Sequence, residues 1–155
     1  MRPIASTLCY VRKGGKTLML HRAKKVGKIY DDKWNGLGGK MEPGESPEEC
    51  VIREVREESG LKIRRPRLKG VLTFPSFDGV DDWIVFVFTA ERFSGRLMER
   101  SPEGRLEWIP DGEVPKLNVW EGDRYFLKRL NGRKFFTGKF IYRNGEYVKH
   151  DIAFY

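Results

Sequence analysis

At 155 residues the chain is long enough to bury a core as one domain, and its 30 lysines and arginines against 22 acids leave it at +8. No run of about 18 apolar residues occurs, which excludes a membrane-spanning helix, and the N-terminus lacks the continuous apolar stretch of a secretion signal, so a cytoplasmic protein is expected. A basic balance suits nucleic acid or a substrate bearing several negative charges; the cations are spread over 62–69 and 124–149 with no nucleic-acid-binding signature, and duplex binding is not expected.

In chain order, 3–12 and 16–22 read as two strands joined at Gly14-Gly15, with His21 a surface or packing residue. The polar loop 23–33 is placed to rim a substrate pocket, and the short strand Trp34-Asn35-Gly36-Leu37 delivers the chain to a glycine turn. The stretch 38–61 then carries a full set of helix signals: Ser46 as N-cap, Pro47 at the first position, Glu49 to close a capping box, and Gly60 as a left-handed stop. Beyond it, 62–69 reads as a basic connector to a strand over 70–77 that Pro75 marks at its edge or end, and 83–90 as a buried central strand. A polar loop over 94–104, a short strand over 105–109 and a break at Pro110-Asp111-Gly112 follow. A second helix is predicted from Asn118, capped with Glu121 three residues on, to about Leu130, and a closing hairpin over 135–143 and 146–155 turns at Asn144-Gly145. Cys9 and Cys50 fit core packing, and His150 a structural place in the last strand. Two helices interleaved with strands fit a mixed sheet covered on both faces.

Within the first helix Val51, Ile52 and Val55 can face a core, while Glu54, Glu57 and Glu58 stand at i, i+3 and i+4 and project from one side. Like charges one turn apart repel by about 0.2–0.5 kcal/mol per pair, so a positive partner is required. Spacing alone leaves two readings: a cage for a hard divalent cation, or a solvated acidic face partnered by Arg53 and Arg56.

Gly39, five residues, Glu45, seven residues, and then Arg53-Glu54-Val55-Arg56-Glu57-Glu58-Ser59-Gly60-Leu61 match every fixed position of the Nudix box, and on these residues the chain resembles the Nudix hydrolases. The resemblance implies an α/β Nudix fold, an α/β/α sandwich around a mixed sheet with a C-terminal β-hairpin, formed by one domain over 1–155 with its box at 39–61. It also implies Mg²⁺, with Mn²⁺ as a substitute, held by the Gly38 carbonyl and the side chains of Glu54, Glu57 and Glu58. Glu45 and Arg53 would form a supporting ion pair that orients the helix. Phosphoryl transfer asks for charge neutralisation and an aimed water, and a carboxylate must take that water's proton. By the resemblance Glu57 and Glu54 are the candidates for that base inside the box, and Glu103 a further metal-binding or basic glutamate outside it.

The segments 33–40, 119–126 and 134–140 are similar to the oxidised purine nucleoside triphosphatases of the MutT and human MTH type. That likeness implies that Asn35 hydrogen-bonds a purine edge, Trp120 stacks on the base and an acid pair beyond it completes recognition; here only Asp123 remains, with Gly122 in the other place. An amide offers both donor and acceptor, and an indole stacks with a worth of about 1–3 kcal/mol. In an amphipathic helix, plain core packing is the other reading of Trp120. The expected activity is hydrolysis of a purine nucleoside triphosphate, 8-oxo-dGTP foremost, to the monophosphate and pyrophosphate, by a monomer or homodimer. ADP-ribose, a dinucleoside polyphosphate or capped RNA are the alternative substrates, and a nucleotide-sensing module without catalysis is the rival from another class.

Overall fold

The computed structural model describes residues 2–22 and 32–155; most of the loop expected to rim the pocket, 23–31, lies outside the described residues. Ten strands are described: β1 Pro3–Lys13, β2 Lys16–Arg22, β3 Trp34–Asn35, β4 Leu61–Arg64, β5 Arg67–Phe74, β6 Asp82–Ala90, β7 Arg92–Gly95, β8 Gly104–Pro110, β9 Phe136–Arg143 and β10 Glu146–Phe154. Two α-helices join them, α1 Pro47–Ser59 and α2 Asp123–Leu127, with a 3₁₀ turn at Asp111–Lys116.

Eight strands form one mixed sheet in the order β10-β9-β5-β6-β1-β2-β3, with β8 on the other edge of β2, and β4 pairs with β7 in a separate ribbon. The β1–β6 and β5–β9 pairs run parallel and the others antiparallel. Strand alternation divides the apolar side chains between two cores. Cys9 and Val11 of β1, Leu18 and Leu20 of β2 and Phe88 of β6 face Val51 and Val55 of α1. Their neighbours Tyr10, Met19 and Val87 face the opposite way, toward Phe126, Leu127 and the aromatic side of β9. This double coverage is why 83–90 is a continuous apolar run: it pairs with β1 and β5 at the centre of the sheet and is covered on both faces.

The helix α1 forms as its signals require: the Ser46 side chain accepts from Glu49 N–H, the Glu49 carboxylate accepts from Ser46 N–H, and Gly60 closes the helix at φ 83°. Four expectations are corrected. The basic segment 62–69 is no connector but β4 and the start of β5. Part of the expected loop over 94–104 belongs to β7, whereas the expected break at Pro110-Asp111-Gly112 is present as the 3₁₀ turn. Asn118 caps no helix: its side-chain amide donates to Asp32 O and its Oδ1 accepts from Lys33 Nζ, so α2 starts only at Asp123 and lasts five residues. Trp120 therefore precedes the helix instead of riding on it.

Candidate active site

Where β1 and β2 part, the segment 34–41 runs between them. Cys9 and Leu37 exchange both backbone hydrogen bonds, Thr7 N–H donates to Gly39 O at 2.9 Å and Met41 N–H to Ala5 O at 2.9 Å. This close approach demands glycine twice. A Cβ at Gly38 would lie 2.0 Å from the Thr7 carbonyl oxygen, and one at Gly39 would lie 2.6 Å from the Glu54 carboxyl carbon. The loop thus sits directly on the carboxylate face of α1.

The three glutamates of that face have different surroundings. Glu58 is buried at 6% exposure and accepts from Gly38 N–H at 2.8 Å. Burial pushes its carboxyl up to about 8, a shift that the Gly38 N–H opposes and the neighbouring Glu54 charge reinforces. Burial also raises Glu54, against the pull of Arg53. Glu57 is exposed. Arg53 is the hub: its fork meets both oxygens of Glu45 at 2.6 and 2.9 Å, and its Nη1 reaches Glu54 at 2.9 Å and Glu57 at 3.2 Å. The hydrogen bond from Arg53 holds Glu45 down to about 2. The guanidinium therefore ties the helix to the preceding loop and partners two of the stacked acids.

The donor set offered here, carboxylates beside a backbone loop, is all oxygen and fits a hard cation such as Mg²⁺. Both raised carboxyls are groups whose ionised form a cation would favour. The side chains are not drawn together into a finished cage: among the described residues no three His, Cys, Asp or Glu side chains are grouped so as to hold a metal ion. Glu54 and Glu57 instead rest on Arg53.

A cavity of about 260 Å³ opens beside the glycine loop. Thr7, Gly38 and Gly39 line it together with Asn35, Trp120 and Asp123. The structure thus brings the glycine loop and the three expected base contacts to one cavity, whereas Glu54, Glu57 and Glu58 do not line it and stand behind or beside the loop. Glu103 does not line the cavity but is half-exposed and ion-paired at 3.1 Å to Arg22, which does. Trp120 is 8% exposed; Phe77 and Tyr142 meet its ring edge-on at 5.0 and 5.6 Å, and Lys33 Nζ lies 5.1 Å from its centroid. Burial pushes the Asp123 carboxyl up to about 7, against the attraction of Lys33 and Arg124.

The sequence model of the NUDIX domain matches residues 1–130. The chain is a Nudix hydrolase. It is 36% identical over 140 residues to the uncharacterised Nudix hydrolase YvcI of Bacillus subtilis, covering 88% of this chain and 85% of that one. It is 30% identical to the oxidized purine nucleoside triphosphate hydrolase of Danio rerio, covering 94% and 88% of the two chains. The crystal structure of the mutator MutT protein from Bacillus halodurans superposes with a TM-score of 0.86 at 34% identity, covering 97% of each chain.

Several cavity residues of this Nudix hydrolase escape sequence reasoning. Phe74 comes from the end of β5, Phe77 from the turn after it and Trp83 from the start of β6, where the pattern shows only a strand over 70–77 that Pro75 marks at its edge or end and a buried strand over 83–90. Tyr142 comes from the closing hairpin and accepts Gly122 N–H at 2.6 Å. A Cβ at Gly122 would stand 2.7 Å from the Tyr142 hydroxyl oxygen and 2.6 Å from Phe140. The place where relatives are expected to carry a second acid is thus filled by a tyrosine from another strand. Alternation in β9 was the available signal: Phe136, Phe140 and Tyr142 share one face.

Proposed function

We propose that this Nudix hydrolase is a Mg²⁺-dependent nucleoside triphosphate pyrophosphohydrolase acting on purine nucleotides, with 8-oxo-dGTP as the foremost substrate and the monophosphate and pyrophosphate as products. One observation carries the reading: the Gly38–Gly39 loop and Asn35, Trp120 and Asp123 line a single cavity, in which the loop is assigned to the phosphates and the other three to the base. The relatives named for oxidised purine triphosphate hydrolysis support the same choice.

Glu54, Glu57 and Glu58 with the Gly38 carbonyl would hold the metal, which when bound neutralises phosphate charge and lowers the pKa of a water. The chain's own groups do the rest. Arg53 keeps Glu54 and Glu57 on the loop side of α1, so that either is available as the base. Arg22 brings a cation to the cavity for the phosphate chain. Asn35 presents a donor and an acceptor to the base edge, and Asp123, poised near neutrality, offers a further contact as carboxyl or carboxylate. Phe74, Phe77 and Tyr142 surround the base with apolar surface and exclude water.

The deciding experiment measures pyrophosphate and phosphate release, with Mg²⁺ and with EDTA, from dGTP, 8-oxo-dGTP, the other dNTPs, ADP-ribose and a diadenosine polyphosphate. The proposal expects metal-dependent pyrophosphate release with the highest kcat/KM for 8-oxo-dGTP. Asn35→Ala should then reduce kcat/KM for purines about tenfold, the loss of one hydrogen bond, and affect pyrimidines less. Preferred turnover of ADP-ribose or the dinucleotide would overturn the base assignment while leaving the hydrolase chemistry in place.

A further inference from the structure

The basic run at 62–69 belongs to no part of the substrate cavity. It contributes instead to a second and larger cavity, about 710 Å³, at the other ends of the same central strands. The substrate cavity takes Thr7 from β1, Val85 from β6 and Phe74 from β5. The second takes Arg12, Thr89 and Lys69 from those three strands. At about 3.3 Å per strand residue, the run from Thr7 to Arg12 alone separates the two sites by roughly 17 Å.

Cations dominate its lining. Arg65, Arg67 and Lys69 come from the start of β5 and the turn before it, and Arg12 from the end of β1. Arg92 adds a charge from β7, and Arg133 and Lys134 from the loop before β9. Among the described residues that line it a single acid, Glu91, stands with them. Elsewhere the arginines Arg22, Arg53, Arg105 and Arg124 are each ion-paired. None of the cations around this cleft is ion-paired among the described residues. Two of them instead brace its wall: Arg12 donates to Asn131 Oδ1, and the buried Lys69 Nζ donates to Gly132 O at 2.7 Å. The Nε of Arg12 is buried with no acceptor. Burial first, and then the nearness of Arg67 and Arg12, pull the Lys69 ammonium below its ordinary range.

Such crowding of like charge costs stability that Glu91, whose charge attracts Lys69, offsets only in part, and an anionic ligand removes the remaining cost. The volume exceeds what one phosphate needs and lies in the range of small-molecule sites. Among the described residues Phe135 is the one aromatic that lines it, which leaves a base with no pair of rings to be sandwiched between there, and recognition falls to guanidinium and ammonium groups. We propose that this cleft binds a linear phosphate chain of the di- or triphosphate class, at a site separate from the catalytic one. A free polyphosphate and the phosphate chain of a nucleotide present the same chemistry, and charge recognition predicts that the free chain binds at least as tightly.

The test is a ¹H–¹⁵N NMR titration of the full chain with tripolyphosphate in EDTA, repeated with dGTP and with a single-stranded RNA oligomer. The proposal expects saturable tripolyphosphate shifts in the amides of 65–69 and 130–135, weakened at least tenfold in an Arg67→Gln, Arg133→Gln double variant. That variant should keep its hydrolase activity and melt no lower than the wild type, because it relieves repulsion. Shifts confined to 38–58, or variant affinity within twofold of wild type, would overturn the site. Binding of dGTP tenfold tighter than tripolyphosphate through 65–69 and 130–135 would overturn the phosphate-chain class in favour of a nucleoside site, and RNA binding a hundredfold tighter there would overturn it in favour of a polymer surface.

Discussion

Asp123 and Glu57 show how differently two carboxylates behave in one small enzyme. Asp123 is buried, and its folded-state pKa, raised to about 7 from an ordinary 3.8, means that folding favours the neutral acid. The sign follows: its burial is unpenalised below about pH 4, and stability falls as pH rises toward 7, by an amount on the order of a few kcal/mol at most. Asp123→Asn removes that titration, so its melting temperature should exceed the wild type's at pH 8 and the gap should close toward pH 4. A gap independent of pH would contradict the burial argument. Glu57 is exposed and bonded to Arg53 at 3.2 Å, so Glu57→Gln removes charge and little packing. In its proposed role as base or metal ligand the variant should lose about 10²–10⁴-fold in kcat with an unchanged melting curve; undiminished turnover would remove Glu57 from the machinery.

At the scale of elements, α1 is the part whose local chemistry and tertiary role coincide. Its capping box closes its first turn, and Arg53 in its middle ties it to the loop through Glu45. Ser46→Ala should cost about 1 kcal/mol and lower the melting temperature by roughly 2–4 °C for a chain of this size. Because neither Ser46 nor Glu49 lines the cavity, kcat/KM at 25 °C should stay within about twofold; a tenfold loss would mean that the cap also sets the carboxylate geometry. The region 117–122 behaves in the opposite way. Asn118 and Glu121 carry the local pattern of a helix start, but the Asn118 side chain is spent on Asp32 and Lys33 and Glu121 pairs with Arg124, so the helix waits until Asp123. Tertiary hydrogen bonds there outweigh a propensity worth tenths of a kcal/mol per residue.

At the scale of the whole molecule, the closing hairpin completes both the sheet and the site. Strand β9 adds in parallel to β5, brings Phe136 and Phe140 fully buried into one core, and sets Tyr142 against Gly122 and Trp120. A chain ending at Lys134 keeps the whole Nudix box and all matched domain residues, yet loses these three side chains. It should fail to unfold cooperatively by circular dichroism and lack measurable hydrolysis; a cooperative melt with activity within tenfold of the full chain would show the hairpin to be dispensable.

The sequence by itself determined what is local or encoded at fixed spacing: the capped helix, the two hairpins with their glycine turns, the central apolar strand, the stacked glutamates and the family. Those features depend on neighbours a few residues away, through capping, periodicity and turn chemistry. Only the tertiary structure decided which distant residues share a cavity. Gly38 and Gly39 are needed because Thr7 and Glu54 press against them, Tyr142 lies beside Gly122 because β9 joins β5, and the two basic stretches meet because β5 and β9 begin side by side, in parallel, at the same end of the sheet. Such pairings are set by strand order and by the exclusion of overlapping atoms, and neither leaves a trace in local spacing.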